Sequence, residues 1–296
     1  MKITLTGSLG HIGKPLVMEL LQKGHSLTVI SSNPEKKKDI EGLGATAAIG
    51  NLQDADFLTA NFTGADVVYC MVVGFFNTNL DIKTYAENLA NNYVQAIQQS
   101  GVKRVVYLSS IGAHTDQGNG PLALHYYAEN TLKKLPSDVG ITFMRPVGFY
   151  TSLASFIPAI KTQGLIVSSY GGDDKHPWVS PIDIAAAIVE EIAAPFEGRK
   201  VRYVASEEIT CNEIASILGT AIGKPDLKWM VIPDEQLLKG MIASGMKPQI
   251  AAGLVEMYAS TRNGKLYEDY YRNRPALGSV KVKDFAKEFA LIYHQK

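Results

Sequence analysis

An excess of charge of either sign is missing from this chain: 29 lysines and arginines face 29 aspartates and glutamates over 296 residues. That disfavours a nucleic-acid binder working through bulk phosphate neutralisation, and it leaves no polybasic handle for a membrane surface. Cysteine is nearly absent as well. Cys70 and Cys211 are the only two; they make no disulfide framework, and a reducing compartment is the simplest expectation. No stretch approaches the ~18 unbroken apolar residues of a membrane helix. The opening run Met1–Gly7 is too short for the apolar core of a secretion signal. Linkers rich in proline or serine, charge blocks and fixed-period repeats are also lacking, which argues against separate modules on a string. These absences lead us to expect a cytoplasmic protein with a small-molecule substrate or a protein partner. Neither nucleic acid nor membrane is an expected partner, and the oligomeric state stays open.

What is present is an alternation of short β-branched runs with helical stretches. Strands are expected at Lys2–Thr6, Ser26–Ser31, Thr46–Ile49, Asp66–Met71, Arg104–Ser109 and Thr142–Arg145. Helices are expected at Ile12–Lys23, from Thr84 to Ser100, and at Leu122–Leu135. Repeated strand–helix–strand units imply an α/β fold with a parallel sheet covered on both faces. After Pro146 the pattern loosens. Helices are expected at Ser152–Thr162, Ile182–Ala194 and Cys211–Ile222, and a last strand at Arg199–Ala205. The tail after Pro233 reads as two or three helices interrupted at Gly240, Gly245 and Pro248. The expected organisation is one main domain, residues 1–148 plus about 181–205. A smaller, mainly helical cap would hold about 149–180 plus 206–296.

Between the first strand and first helix lies Thr6-Gly7-Ser8-Leu9-Gly10-His11-Ile12-Gly13. In a first βαβ unit, such spacing suits a dinucleotide. Gly7 would allow a tight turn, Gly10 a close approach of pyrophosphate, and Gly13 close packing of helix on sheet. The helix N-terminus would offer free N–H groups to the phosphates. A plain strand-to-helix turn is the bland alternative. The second strand ends in Ser31-Ser32-Asn33, without the acid that would bind the ribose hydroxyl of NAD, and Lys36-Lys37-Lys38 follows. NADP(H) is therefore favoured over NAD(H), although the lysines are equally well read as a solvated helix start.

The glycine loop, Asn51-Leu52-Gln53-Asp54 and Val106-Tyr107-Leu108-Ser109-Ser110-Ile111-Gly112-Ala113 resemble the atypical short-chain dehydrogenase/reductases. Arg145-Pro146-Val147-Gly148-Phe149-Tyr150 and Asp183-Ile184-Ala185 extend the resemblance, and the closest branch is the NmrA-like family. That family includes NADPH:quinone oxidoreductases and catalytically silent redox sensors. The resemblance implies a Rossmann-type, doubly wound sheet of seven strands, with the cofactor across the C-terminal strand edges. It implies pyrophosphate contacts from Leu9, Gly10, His11 and Ile12, and ribose contacts from Ser31, Ser32 and Asn33. It further implies Leu52 beside the adenine and Met71, Val72 and Val73 under the cofactor. Pro146, Gly148 and Phe149 would stand at the nicotinamide end. Asn51 departs from the Asp common in relatives.

Enzymes of the wider superfamily place a tyrosine four residues before a lysine. None of the 14 tyrosines here has that partner. Aligning Glu129 and Leu132 with the usual helix puts His125 at the lysine position and Pro121 at the tyrosine position. His125 is the one catalytic candidate: it could hold the nicotinamide ribose, or act as an acid titrating near neutrality, or merely fill space. Ser109, at the end of the fifth strand, is a candidate for the cofactor; Tyr126 and Tyr127 read as packing. Phe75, Phe76, Phe149, Tyr150 and Phe156 could line a pocket for a flat substrate or pack the cap. Asp173, Asp174 and His176 read as a solvated loop, and Cys70 as core. No hydrolase elbow is found, and the six histidines show no metal-ligand spacing. No metal is expected. The leading expectation is an NADPH-dependent oxidoreductase for a quinone-like or other small flat acceptor. The alternatives are a silent NADP(H)-binding sensor and, more weakly, a sugar-nucleotide epimerase.

Overall fold

A computed structural model describes residues 1–73, 78, 80–195 and 198–295. Its central element is a seven-stranded sheet in the order β10-β6-β5-β4-β1-β2-β3. The strands are β1 (Lys2–Leu5), β2 (Ser26–Ser31), β3 (Thr46–Ile49), β4 (Val67–Met71), β5 (Arg104–Leu108), β6 (Gly140–Pro146) and β10 (Arg199–Val204). The order reverses between β1 and β4, both of which pair in parallel, Leu5 standing opposite Val29 on one side and Tyr69 on the other. In an open parallel sheet the crevice at such a reversal is where ligands bind. The near-continuous apolar character of β4 and β5 follows from burial on both faces; Val67, Val68, Cys70, Val105, Val106 and Tyr107 are each fully buried.

The helices of this sheet start and stop on local chemistry. Helix α1 (Gly13–Gln22) has Pro15 in its first turn, where a missing N–H costs little. Helix α3 (Ala55–Phe62) is capped by Asp54, whose carboxylate accepts from Phe57 N at 2.9 Å, and α4 (Ile82–Ser100) by Asp81 accepting from Thr84 N at 2.9 Å. Helix α2 (Lys36–Gly42) follows an Asn33 side chain that accepts from Glu35 N. Helices α3, α4 and α5 (Ala123–Leu132) share one apolar core with β4, β5 and β6, through Leu58, Phe62, Leu89, Tyr93, Leu124 and Phe143 among others.

The chain divides into two units. The first holds 1–113, 123–145 and 184–202; the second holds 114–122, 146–183 and 203–296. Segment 114–122 and residues 146–148, expected with the nucleotide-binding part, group with the second unit. The second unit is less helical than its sequence suggested. It contains a three-stranded sheet, β11-β9-β7, and a two-stranded one, β12-β8. Their strands are β7 (Gly148–Phe149), β8 (Leu165–Ser168), β9 (Lys175–Val179), β11 (Glu207–Thr210) and β12 (Lys228–Val231). Around them lie α6 (Ile157–Gln163), α8 (Cys211–Ala221), α9 (Asp234–Ala243), α10 (Pro248–Arg262), α11 (Glu268–Arg272) and α12 (Val282–His294). Helix α7 (Pro181–Ala193) runs from the second unit into the first. Gly240 does not interrupt α9 but lies within it, while Gly245 and Pro248 do separate α9 from α10. No helix among the described residues is long and apolar enough to cross a membrane.

Candidate dinucleotide site

In the first unit a groove of about 630 Å³ opens at the sheet reversal, lined by the glycine loop, the end of β2 and the segment after β3. Its size falls within the ~300–1,000 Å³ of small-molecule sites. Gly7, Ser8, Leu9 and Gly10 form one wall; Ser31, Ser32, Asn33 and Lys36 form the next; Asn51, Leu52, Gln53 and Val73 complete it with Tyr85 and Leu89. No carboxylate is among the lining residues.

The three loop glycines do different things. Gly7 has φ +93°, a left-handed backbone that favours glycine, and a Cβ there would stand 2.3 Å from Met71 Sδ, so that side chain would have to shift. At Gly13 a Cβ would meet the Ser8 carbonyl oxygen at 2.1 Å. Its contact is therefore with the loop itself, which corrects the expectation that Gly13 serves helix-on-sheet packing. At Gly10 a Cβ would meet nothing closer than 3.7 Å. The space over Gly10 is open, and the protein's own packing does not explain the glycine. Ser8 adds a second sign: it is the one non-glycine residue with positive φ (+57°) among the described residues, and its buried hydroxyl has no partner. Backbone strain and an unpaired hydroxyl thus meet at one residue of the groove wall. The donor set suits a dinucleotide's phosphates.

At the adenosine end, Ser31 Oγ accepts from Asn33 N at 3.2 Å, which fixes the turn after β2. Of the three lysines only Lys36 lines the groove, where its ammonium also pairs with Asp39 at 3.0 Å. Lys37 turns to Glu41, 3.9 Å away. Leu52 lines the groove and its carbonyl accepts from Asn92. Val73 lines it too, its carbonyl taken by the Tyr85 hydroxyl.

Several expected contacts lie elsewhere. His11 is exposed and Ile12 is buried under the loop (7 %), so neither lines the groove. Met71 supports Gly7 from below with its sulfur, and Val72 packs on the α3–α4–α5 core. Ser109 is buried, and its hydroxyl donates to Glu129 Oε1 at 2.6 Å, so it is committed to the core. Pro146, Gly148 and Phe149 lie in the second unit; Gly148 and Phe149 form β7, opposite Trp178 and Val179 of β9. Tyr150 and Phe156 belong to the apolar core of that unit, Phe156 standing 5.1 Å from Trp229. Phe75 and Phe76 lie outside the described residues. His176 is not in a solvated loop; it is 4 % exposed on β9, while Asp173 and Asp174 are exposed. Burial raises the Cys70 thiol far above its usual range, which leaves it inert.

Helix α5 carries His125 and, one turn on, Glu129. The Glu129 carboxylate is fully buried and takes Arg145 Nε at 2.9 Å and Nη2 at 2.7 Å besides Ser109. In the sequence Glu129 stands out only as the acid that aligns with the usual superfamily helix. The Arg145-Glu129 pairing was legible only as two charges within otherwise apolar elements. The His125 ring is part-exposed, but Nδ1 is enclosed without a partner, and desolvation holds its pKa down to about 4. Arg145 lowers it further and Glu129 opposes the shift. At neutral pH His125 is thus a neutral imidazole, which corrects the expectation of a group titrating near neutrality. Among the described residues no group of acids, histidines and cysteines is placed to hold a metal.

The NmrA-like family profile matches residues 1–283. The chain belongs to the NmrA-like family. This NmrA-like chain is 25 % identical over 259 residues to an NAD(P)H azoreductase of Xenophilus azovorans, covering 87 % of this chain and 86 % of that one. It is 26 % identical over 224 residues to a (4-alkanoyl-5-oxo-2,5-dihydrofuran-3-yl)methyl phosphate reductase of Streptomyces griseus, covering 75 % and 74 %. Its fold matches an NADPH-dependent quinone oxidoreductase of Escherichia coli complexed with NADPH (TM-score 0.78, 21 % identity, 97 % and 99 % covered). It also matches the triphenylmethane reductase of Citrobacter sp. complexed with NADP(H) (TM-score 0.76, 20 % identity, 98 % and 100 % covered). The chain is accordingly an NmrA-like protein with a Rossmann-type fold.

Proposed function

We propose that the chain is an NADPH-dependent reductase that passes hydride to a flat conjugated acceptor, of which quinones and azo compounds are the first candidates. The observation that supports it most is the groove: open space over Gly10, no lining carboxylate, and Lys36 at the adenosine end. The azoreductase relative acts, by its name, on a conjugated bond of this kind. The nicotinamide dinucleotide, when bound, supplies the hydride. The chain's own residues bind and orient. Gly7, Ser8, Leu9 and Gly10 hold the pyrophosphate; Ser31, Ser32 and Asn33 hydrogen-bond the ribose; Lys36 counters a 2′-phosphate; Leu52 covers the adenine.

With a pKa of about 4, His125 is not a stock of protons at pH 7. Its role is that of a neutral hydrogen-bond donor, to the ribose or to an acceptor atom. A quinone fits this arrangement because its reduced oxygens can take protons from water, so hydride transfer needs orientation more than acid catalysis. The test is NADPH consumption against a panel of quinones and azo dyes, paired with a calorimetric titration of NADPH and NADH. Turnover with one acceptor class, supported better by NADPH, is the expected result. Tight NADPH binding with no turnover on any acceptor would replace this reading by that of a sensor. A preference for NADH would remove the assignment of Lys36.

A further inference from the structure

In the first unit, two polar atoms in adjacent rings are buried without partners. Tyr107 on β5 is wholly buried and its hydroxyl makes no hydrogen bond. The His125 ring meets it edge-on, with centroids 6.4 Å apart and planes at 63°, and the enclosed nitrogen of that ring, Nδ1, is also unbonded. Glu129 relieves neither, since its oxygens are taken by Ser109 and Arg145, with Lys133 at 3.5 Å. Two such groups left unpaired on neighbouring rings would be costly, and they do not bond each other directly. A water between polar groups is the usual remedy.

We infer that one buried water joins the Tyr107 hydroxyl to His125 Nδ1 and so fixes His125 as the Nε2–H tautomer, a neutral donor at its outer nitrogen. The direction follows from counting hydrogens. If Tyr107 O–H donates to the water and the water donates to Nδ1, one water hydrogen lacks an acceptor. If Nδ1–H instead donated to the water, two hydrogens would lack one: both of the water's, or one of the water's and the Tyr107 O–H when the water donates to the Tyr107 oxygen. The first arrangement leaves the fewer orphaned groups. Tyr107 is then a positioning residue that acts through His125. In the reductase reading above, on which this role rests, the Nε2–H points its donor at the cofactor ribose or at the acceptor atom that gains electron density.

The experiment is nitrogen NMR of the full chain labelled with ¹⁵N-histidine, with the His125 signals assigned by their loss in His125→Gln. The wild type should show His125 as a single Nε2–H tautomer at neutral pH. Tyr107→Phe should show a mixture of tautomers and a lower thermal midpoint, because the water loses its anchor and Nδ1 its partner. A hydroxyl that was simply unpaired would make Tyr107→Phe more stable than the wild type. An Nδ1–H tautomer in the wild type overturns the inference, and so does a Tyr107→Phe protein with an unchanged tautomer pattern. If Tyr107→Phe does not fold, the wild-type tautomer alone decides. Neither readout needs turnover, so a protein that reduces no acceptor would sink the reductase reading and leave this one standing. Where turnover is found, Tyr107→Phe should lower kcat several-fold with KM for NADPH little changed.

Discussion

In the first unit the part-exposed His125 has one ring nitrogen, Nδ1, enclosed without a partner, whereas in the second both ring nitrogens of His176 are, with ring centroids 5.8 Å from Tyr170 and 5.6 Å from Tyr267. The contrast extends beyond these two residues. Both units hold unpaired polar atoms on interior side chains, Tyr69 and Tyr107 in the first and Ser168, Ser169, Trp178 and His176 in the second, and the first also has the Ser8 hydroxyl on a residue of the groove wall. An unpaired group at a groove is available to a ligand. An unpaired group in a core is a cost on folding that changes with pH when it titrates. The first unit is thus where NADPH binding should be sensitive to substitution, and the two buried imidazoles, His176 of the second unit and His125 of the first, are where stability should be sensitive to acid.

The largest effect that could break this division is at the buried ion pair of the first unit. Glu129→Ala leaves Arg145 as a buried charge without its carboxylate and should cost about 3–5 kcal/mol in urea unfolding. A loss under ~1 kcal/mol would mean that water already reaches the pair. Next come the loop glycines. Gly13→Ala forces a methyl group against the Ser8 carbonyl and should cost about 1–3 kcal/mol, with NADPH binding lost as the loop shifts. Gly10→Ala has room for its methyl and should change stability by no more than ~0.5 kcal/mol while weakening NADPH binding. Equal destabilisation by the two would contradict the distinction between a glycine kept for the fold and one kept for a ligand.

Acid sharpens the comparison between the two histidines. Desolvation lowers the pKa of His176 in the folded protein below its unfolded value of 6.5, with only Asp174 opposing. Between the two values the unfolded chain binds more protons. The contribution is therefore fully present above pH 6.5 and is lost as pH falls through the unfolded pKa toward the folded one. His176→Phe should flatten the decline in thermal midpoint below pH 6.5. His125 contributes in the same direction, over a window from 6.5 down to about 4. A His176→Phe protein with the wild-type pH profile would show that the imidazole is hydrated in place. The smallest effect is at the adenosine end. Ser32→Asp should shift preference from NADPH toward NADH by about tenfold, or ~1.4 kcal/mol, without altering stability.

How far the sequence could be read follows the same division. The strands β1 to β5 and the helices α1 and α4 were legible to within two residues, because each βα unit is local and carries its own punctuation, such as Gly24 after α1 and Gly101 after α4. Of helix α2 only its start at the lysine run was read, as one of two alternatives, and helix α3 was missed. They have seven and eight residues, too short for a clear apolar period, and only the Asp54 cap announces α3. In the second unit β7, β8, β9, β11 and β12 were missed. They run from two to five residues, β9 contains a proline, and their pairing joins distant segments, as where His176 faces Ile209. The groove itself was half legible. Gly7, Leu9, Gly10, Ser31, Ser32, Asn33, Leu52 and Val73, named from the sequence, line it, but no pattern could show that Ser109 turns inward to Glu129 or that Lys36, alone of its run, reaches the groove. Nor could the neutrality of His125 be read from a single letter, since it follows from how closely the α5–β5 packing encloses Nδ1.

The central claim, that the open space over Gly10 exists to admit a dinucleotide's phosphates, is tested most directly by one calorimetric titration. NADPH is titrated into the wild type and into Gly10→Val, with the fold of each checked by its thermal midpoint. The account predicts tight binding to the wild type and none detectable to a Gly10→Val protein that is fully folded. Unchanged NADPH affinity in that folded variant would contradict it.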